Sequence, residues 1–446
     1  MAITIQEQPY DLTRLGQKLI VRATSTNVGN DGFKFVFRLF PGTPDETDFY
    51  ISPNPSSQGI FDLFDAVKDF PSVEPTKVFV DGLDEYFQNN QYPLFPYILW
   101  VYEAWLVDGV LTIDEGSAVY VNGASEGTYL IPASYNISDG YRPNPENDYG
   151  FKPIAPFNVV STSLMMGDRN TTTHLPDTYL NDVTNLGGQY YVAIPTRKSE
   201  NDWGVLNVVS GIGGSYDAGA LYVKYVLKKA DGTTVEQSTT LSGGGATKLI
   251  AHIPAYPANL NVGNYSPVIP KNFTDWQWYS VQLFEDLELT IVRSALYVFY
   301  PVEDDCIYEN IRLCWWSPIK GGFDFFNFSK VSQKSVDVER KRIKKIIGNY
   351  GDASSGFTFA TSDRGLSETS VSPTTYLDIT SDWIQEGEYR LLSNLVRSRY
   401  VWIINDDGNA TPVVVDTNSF TERRERNGKL SRVTFRLRYS NENFYY

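Results

Sequence analysis

Histidine and cysteine are scarce in this chain, which has only two of each among its 446 residues. The histidines, His174 and His252, are 78 residues apart in the sequence, and neither belongs to an HExxH motif or stands beside a cysteine pair. Protein zinc sites and Ser-His-Asp triads are built from such groups at recognisable spacings. The sequence therefore gives no support for a zinc enzyme or a histidine-dependent hydrolase.

The two cysteines are not expected to form a disulfide. Cys306 and Cys314 are eight residues apart on one predicted strand, which would separate them by about 26 Å if the strand is extended. We therefore predict buried free thiols, which suit a reducing cytoplasm. The chain also lacks a run of about 18 apolar residues and a basic segment followed by an apolar core at its start, so we expect neither membrane insertion nor a classical export signal.

Motifs for cofactors, metals and catalysis are also missing. The glycine clusters Gly211–Gly214 and Gly243–Gly245 are not followed by Lys-Ser/Thr or by a helical pattern, so they fit turns better than phosphate loops. The acidic clusters Glu303–Asp305 and Asp406–Asn409 lack the spacing of a calcium loop. No local motif singles out a pair of carboxylates of the glycosidase type. We therefore expect no cofactor, no metal and no enzymatic activity.

What the sequence does contain is acidic charge and many aromatic residues. The formal net charge is −15, and aromatic residues make up 14% of the chain, including 30 Tyr and 25 Phe. Residues 321–446 hold 18 Lys+Arg against 16 Asp+Glu, a net of +2, so residues 1–320 carry −15 − 2 = −17. This balance argues against contact with nucleic acid. The aromatic content favours pleated sheets and packed interfaces.

The hydrophobic pattern predicts a mainly β fold of tandem β-sandwich-like modules with a smaller α+β module at the C-terminus. Segments of alternating hydrophobicity separated by turn residues recur along the chain, and the middle region resembles a β-sandwich in strand number and spacing. We predict an N-terminal module at 1–135, a linker or long loop at 136–156, a middle module at 157–310 and a C-terminal docking module at 311–446.

Two helices are predicted. A short one is expected where Ile60, Phe61, Phe64, Val67 and Phe70 recur near helical spacing. A longer one has an apolar stripe from Ile384 to Val396, should end near Arg397, and could be capped by Thr380, Ser381 or Asp382. Hairpins are predicted at Asp108-Gly109, Asn122-Gly123, Ala230–Gly232 and Asp406–Gly408.

The densest aromatic stretch, from Ile307 to Tyr350, predicts two adjacent strands that reverse at Ser317–Gly322. Both faces of these strands are apolar, so a second domain or a partner subunit must cover them. A basic run follows, which is typical either of a solvated edge strand or of a docking patch. The predicted interface residues are Trp315, Trp316, Phe323, Phe325, Phe326, Phe328, Arg340, Lys341, Arg342, Lys344 and Lys345.

Several stretches of the chain resemble virion proteins of tailed phages that infect Bacteroidetes, including crAss-like gut phages. The stretches are MAITIQEQP, SPNPSSQGIFDLFDAVKDF, LCWWSPIKGGFDFFNF, SVDVERKRIKKIIGNYG, the pair Arg364-Gly365, and DWIQEGEYRLLSNLVRSRYVWI with TPVVV after it. The resemblance covers both ends of the chain and is looser through the middle. It implies a structural tail, neck or collar protein that forms homo-oligomeric rings and contacts portal, ring, tail or fibre subunits. It also implies assembly in the host cytoplasm and no catalytic residues.

Two other functions remain open from the sequence. A receptor- or glycan-binding tail appendage would expose tryptophans such as Trp100, Trp105, Trp276 or Trp278 in a groove. A glycan-cleaving virion enzyme would bring two carboxylates together in a pocket.

Overall fold

The structure is a computed structural model of the full chain, and the predicted mainly β fold is confirmed. The residues that it describes are 2–9, 12–15, 19–41, 46–70, 73, 89–90, 95–121, 128–131, 191–197, 204–210, 221–241, 249–260, 276–284, 288–289, 296–302, 311–318, 322–345, 347–350, 357–358, 360–362, 364–384, 386–405, 410–417, 420 and 432–440. Several predicted features lie outside these residues: the linker at 136–156, the Asn122-Gly123 and Asp406–Gly408 turns, His174, Cys306, both glycine clusters and both acidic clusters.

The N-terminal part of the chain folds into two sheets that share one core. Its elements are β1 (Ile3–Glu7), β2 (Leu12–Arg14), β3 (Ile20–Ser25), β4 (Lys34–Phe40), β5 (Thr47–Ile51), β6 (Gln58–Asp62), α1 (Phe64–Val67), β7 (Asn89–Asn90), β8 (Phe95–Val107), β9 (Val110–Tyr120) and β10 (Thr128–Ile131). One sheet has the order β1-β3-β6, and the other has the order β2-β10-β8-β4-β5 with β9 paired to β8. Val21, Phe35, Phe37 and Val101 pack in the core.

The short helix predicted from Ile60 is wrong over its first part. Gln58–Asp62 is a strand that pairs with β3, and Phe61 is buried while Ile60 is exposed. Spacing alone fits either a helix or a strand here, and pairing with β3 decides the outcome. The hairpin at Asp108-Gly109 is confirmed, with φ of 51° and 81° at the two turn residues.

The middle part of the chain forms two more sheets around a second core. Its elements are β11 (Tyr191–Arg197), β12 (Val205–Ser210), β13 (Leu221–Lys229), β14 (Thr234–Leu241), β15 (Leu249–Pro254), α2 (Pro257–Leu260), β16 (Trp276–Phe284) and β17 (Leu296–Val302). The sheet orders are β11-β17-β16-β13-β14 and β12-β15-β7. Since β7 precedes the predicted linker, the smaller sheet takes strands from both sides of that linker.

The C-terminal part is one large sheet covered on one face by a helix. Its elements are β18 (Ile311–Trp316), β19 (Phe323–Phe328), β20 (Gln333–Lys344), β21 (Asn349–Tyr350), β22 (Phe357–Thr358), β23 (Leu366–Thr380), α3 (Glu386–Arg397), β24 (Val401–Ile404), β25 (Ala410–Val415) and β26 (Thr434–Tyr439). The sheet order is β19-β18-β24-β25-β26-β23-β20, and β21 pairs only with β22 among the described strands. Leu391, Leu392 and Leu395 of α3 pack against this sheet.

Helix α3 ends at Arg397 as predicted, but it begins later than its predicted caps. Thr380 is the last residue of β23, and the Ser381 hydroxyl accepts a hydrogen bond from the Val433 backbone N–H at 3.0 Å. Asp382 accepts from the backbone N–H of Trp383 at 2.7 Å. These polar residues therefore hold the segment that leads into the helix, which starts at Glu386.

Candidate functional site

The two aromatic strands β18 and β19 lie side by side at one end of the C-terminal sheet. They pair from Ile311↔Phe328 to Trp316↔Phe323, and the Ser317 N–H donates to the Gly322 carbonyl at 2.8 Å. Gly322 has φ of 92°, which glycine adopts at little cost. The predicted chain reversal is confirmed.

One face of these strands is covered by helix α3. Trp315 and Phe328 point to this side and are 0% and 1% exposed, in the core that includes the leucines of the helix. Phe326 is partly buried against the same core, with its ring 4.9 Å from that of Phe328.

The opposite face lies against the middle part of the chain. Strand β12 contacts β19, and the Asn207 side-chain N–H₂ donates to the Phe323 carbonyl at 2.8 Å in a buried hydrogen bond. The Phe323 ring contacts the rings of Trp316 and Trp402 at 5.2 and 6.0 Å. The cover that the two-sided apolar pattern requires is thus supplied within the chain.

Five of the six aromatic members of the predicted interface are therefore internal, and the sixth, Phe326, is partly buried. Trp315, Trp316, Phe323, Phe325 and Phe328 are at most 7% exposed, so they offer almost no surface to a neighbouring subunit. Cys314 lies on β18 between these aromatic residues and is a buried free thiol, as predicted. Burial raises the pKa of this thiol well above its usual value.

The basic residues of the prediction occupy a different place, an exposed two-stranded arm. Strand β20 is the last strand of the sheet and pairs with β23 from Gln333↔Asp378 to Lys344↔Leu366. Strand β23 pairs with β26 only over Tyr376–Thr380, so its earlier residues pair only with β20 among the described strands. We call residues 336–345 and 366–375 the basic ribbon. Residues 336–344 are nine residues of extended strand, so the basic ribbon is about 30 Å long.

The basic ribbon exposes aliphatic side chains along one of its faces. Val336, Val338, Leu366 and Val371 are between 40% and 54% exposed. Val336, Val338 and Val371 lie on the same side as Leu377, which belongs to the core beneath the sheet, because residues two apart along a strand share a face and Leu377 is opposite Lys334. A bulge in the pairing, between Ser370 and Glu368, brings Leu366 to the same face. An isolated two-stranded ribbon is at best marginally stable in water, and exposed apolar rows of this kind mark contact surfaces.

Charge is concentrated toward the outer half of the basic ribbon. The whole ribbon carries the five predicted basic residues, all exposed, and three acidic residues, Asp337, Glu339 and Glu368, for a net charge of 5 − 3 = +2. The basic residues all follow Glu339, a residue of β20. Glu368 accepts from Arg340 Nη1 at 2.7 Å and from Arg342 Nε at 3.2 Å. The hydrogen bond from Arg340 is the main reason why the pKa of Glu368 is lowered. The three lysines, in contrast, extend charge into solvent.

A second surface, which the sequence reasoning missed, lies on the outer face of the N-terminal sheet. We call it the aromatic face, and it comprises Trp100, Tyr102, Tyr120, Arg38, Glu46, Asp48 and Glu115. Strand register brings these residues together, since Arg38 is opposite both Asp48 and Trp100, and Trp100 is opposite Tyr120. The Trp100 and Tyr120 rings are 3.5 Å apart between centroids, and Tyr120 is 41% exposed.

Arg38 is the centre of the aromatic face. Its guanidinium donates to Asp48 through Nε at 2.7 Å and through Nη2 at 3.0 Å, and Nη1 lies 3.3 Å from Glu115. It also stacks over the Tyr102 ring at 4.8 Å from the centroid. The hydrogen bond to Asp48 is the main cause of the raised pKa of Arg38, and burial raises the pKa of Tyr102.

The aromatic face is acidic at its rim. Arg38 contributes +1, while Glu46, Asp48 and Glu115 contribute −3, for a net of −2. The Glu46 and Glu115 side chains are 51% and 63% exposed, whereas Arg38 is 12% exposed. The signal in the sequence was an arginine within the apolar strand KFVFRLF, on the face opposite to the core-facing phenylalanines.

The tryptophans considered for glycan binding divide between the interior and the surface. Trp276 and Trp278 are 3% and 2% exposed within the middle module. Trp105 is partly buried against the N-terminal core, and Trp100 is partly buried on the aromatic face. Of the four, Trp100 is the one that belongs to a surface rich in polar groups.

The chain matches no protein-family model and no curated protein. Within the described residues, no helix is long and apolar enough to cross a membrane. In the same part of the chain, no three His, Cys, Asp or Glu side chains cluster in a way that could hold a metal ion.

Proposed function

We propose that this protein is a structural component of a tailed-phage virion, a ring or adaptor subunit of the tail, neck or collar that assembles through several subunit contacts. The observation that carries an assembly role is the basic ribbon, an exposed strand pair with an aliphatic face and three exposed lysines near its outer end. The assignment to a virion comes from the resemblance of the sequence stretches at both ends of the chain.

The positions of the exposed apolar side chains indicate that the basic ribbon, and not the aromatic strands β18 and β19, is the surface used in assembly. The aromatic strands are covered within one chain, whereas the ribbon keeps Val336, Val338 and Val371 in solvent. Edge strands in monomeric proteins are usually protected, and an arm that is both charged and aliphatic fits a neighbour that supplies opposite charge and apolar cover. The partners would be portal, ring, tail or fibre subunits, including further copies of this chain.

Incorporation into particles tests the proposal. Reversing the charges of Arg340, Lys341, Arg342, Lys344 and Lys345 to Glu should deplete the protein from purified virions, measured by quantitative mass spectrometry. Glu288→Lys, which changes an exposed residue outside the basic ribbon, is the control and should be incorporated normally. Normal incorporation of the reversed variant would contradict the proposal.

The aromatic face favours one second candidate, a glycan-binding tail appendage. A partly exposed Trp100–Tyr120 pair beside carboxylates offers an apolar platform and hydrogen-bond acceptors, as a sugar ring requires. Binding of purified protein to host surface polysaccharide, abolished by Tyr120→Ala, would support this candidate.

A further inference from the structure

The basic ribbon and the aromatic face are both exposed in a single chain. Arg340 and Arg342 side chains are 43% and 54% exposed, and Glu115 is 63% exposed. Neither surface covers the other within the chain, so each is available to a second copy.

The two surfaces are complementary in charge. The ribbon carries a net charge of +2, with Lys341, Lys344 and Lys345 at its outer end, and the aromatic face carries −2, with Glu46 and Glu115 at its rim. Opposite potentials steer association and fix register, while like charges brought together are repelled.

The two surfaces are also complementary in chemistry. Arginine stacks on aromatic rings and is the preferred cation for such contacts. Arg38 already lies over Tyr102 in this way, and Tyr120, Tyr50 and Ile98 remain between 38% and 44% exposed on the same side of the sheet. The ribbon presents two arginines next to exposed valines, which match an aromatic surface with an acidic rim.

We propose that the basic ribbon of one copy docks on the aromatic face of the next copy, so that the subunits associate head to tail. The inference rests on the proposed assembly function and identifies the aromatic face as the surface that the basic ribbon binds. A contact between two different patches is heterologous, and its repetition closes a ring when the rotation per subunit permits closure. Each chain would then use both surfaces at once.

Charge exchange between the two surfaces tests the docking directly. The first variant carries Lys341→Glu, Lys344→Glu and Lys345→Glu, which leaves the Arg340–Glu368–Arg342 cluster intact. The second carries Glu46→Lys and Glu115→Lys, at rim positions that leave the Arg38–Asp48 pair in place. Each variant alone should self-associate about tenfold more weakly than the wild type in sedimentation velocity, because like charges then face each other.

An equimolar mixture of the two variants supplies the decisive measurement. The unchanged ribbon of the second variant meets the unchanged face of the first, and the two altered surfaces are again opposite in charge. Association should therefore return in the mixture and in the chain that carries all five substitutions. This recovery also establishes that the variants are folded. Glu288→Lys, at an exposed residue outside both surfaces, is the control and should associate like the wild type.

Several results would overturn the inference, and they separate it from the proposed function. If reversing the face leaves association unchanged while reversing the ribbon abolishes incorporation into virions, the ribbon docks on a different virion protein, and only the assembly function stands. Wild-type protein that remains monomeric, or a mixture that fails to associate, would also overturn the head-to-tail contact. Loss of polysaccharide binding in Tyr120→Ala, with association unchanged, would assign the aromatic face to glycans instead.

Discussion

Gly59 shows how closely single residues are packed in the N-terminal core. A Cβ added at Gly59 would lie 2.4 Å from an atom of the Phe35 ring, and Phe35 is fully buried. We expect Gly59→Ala to lower the free energy of unfolding by about 1–3 kcal/mol, because the ring must shift within a filled core. Urea denaturation measures this change.

The matched control is Gly29→Ala, since a Cβ at Gly29 meets no atom within 4 Å. Its stability should be close to that of the wild type. Equal stability of both variants would contradict the close approach of Gly59 to Phe35.

Cys314 gives a second prediction at the scale of one side chain. Burial, and to a lesser degree the charge of Asp324, raise the pKa of this thiol. Since the thiolate is the nucleophile, the native protein should resist alkylation by iodoacetamide at pH 8 and should react once unfolded in guanidinium. Mass spectrometry of the Cys306→Ser variant isolates this thiol. Rapid alkylation of the native variant would show that Cys314 is accessible.

At the scale of elements, a buried hydrogen bond links β12 to β19. Asn207→Ala removes the donor to the Phe323 carbonyl and should destabilise the protein by about 1–3 kcal/mol, the usual cost of a buried polar group without its partner. Asn405→Ala removes an exposed hydrogen bond to Thr411 and should have a much smaller effect. Similar denaturation midpoints for the two variants would argue against the buried contact.

The charged cluster on the basic ribbon has a defined pH dependence. The pKa of Glu368 is lower in the folded ribbon than in the unfolded chain, so its contribution is present above the unfolded value and disappears as pH falls through the lowered value. Carboxyl NMR should detect this titration below the ordinary range for glutamate. In the Arg340→Gln/Arg342→Gln variant the pKa of Glu368 should rise, and an unchanged value would contradict the cluster.

Elements set by local sequence signals could be predicted, and those set by pairing could not. The hairpin at Ala230–Gly232 and helix α3 carry their signals within the segment, as a turn sequence between alternating strands and as an apolar stripe. Residues 58–62 have an ambiguous spacing, and only their pairing with β3 makes them a strand. The aromatic face joins residues from four strands, so it depends on registers that no single segment encodes.

At the scale of the whole molecule, most of the chain has a net negative charge, while the basic ribbon near the C-terminus has a net positive charge. This arrangement predicts that self-association depends on salt concentration. Residues 1–320 carry −17 and residues 321–446 carry +2. Screening acts over about 8 Å at physiological ionic strength and over less at higher salt. Self-association measured by sedimentation velocity should therefore weaken steadily as salt is raised. Association that strengthens with salt would indicate an apolar contact without electrostatic guidance.

The anchoring of the basic ribbon determines how the protein would respond to a pulling force. The ribbon joins the rest of the sheet through five residue pairs between β23 and β26, from Tyr376↔Arg438 to Thr380↔Thr434. Antiparallel hydrogen bonds run perpendicular to the strands, so tension along the ribbon would load all of these bonds in shear at the same time. Bonds loaded together resist rupture better than bonds that open one after another. A particle whose subunits were linked by such arms would yield by sliding of whole strands, a failure that requires high force, and would not peel apart under small repeated strains.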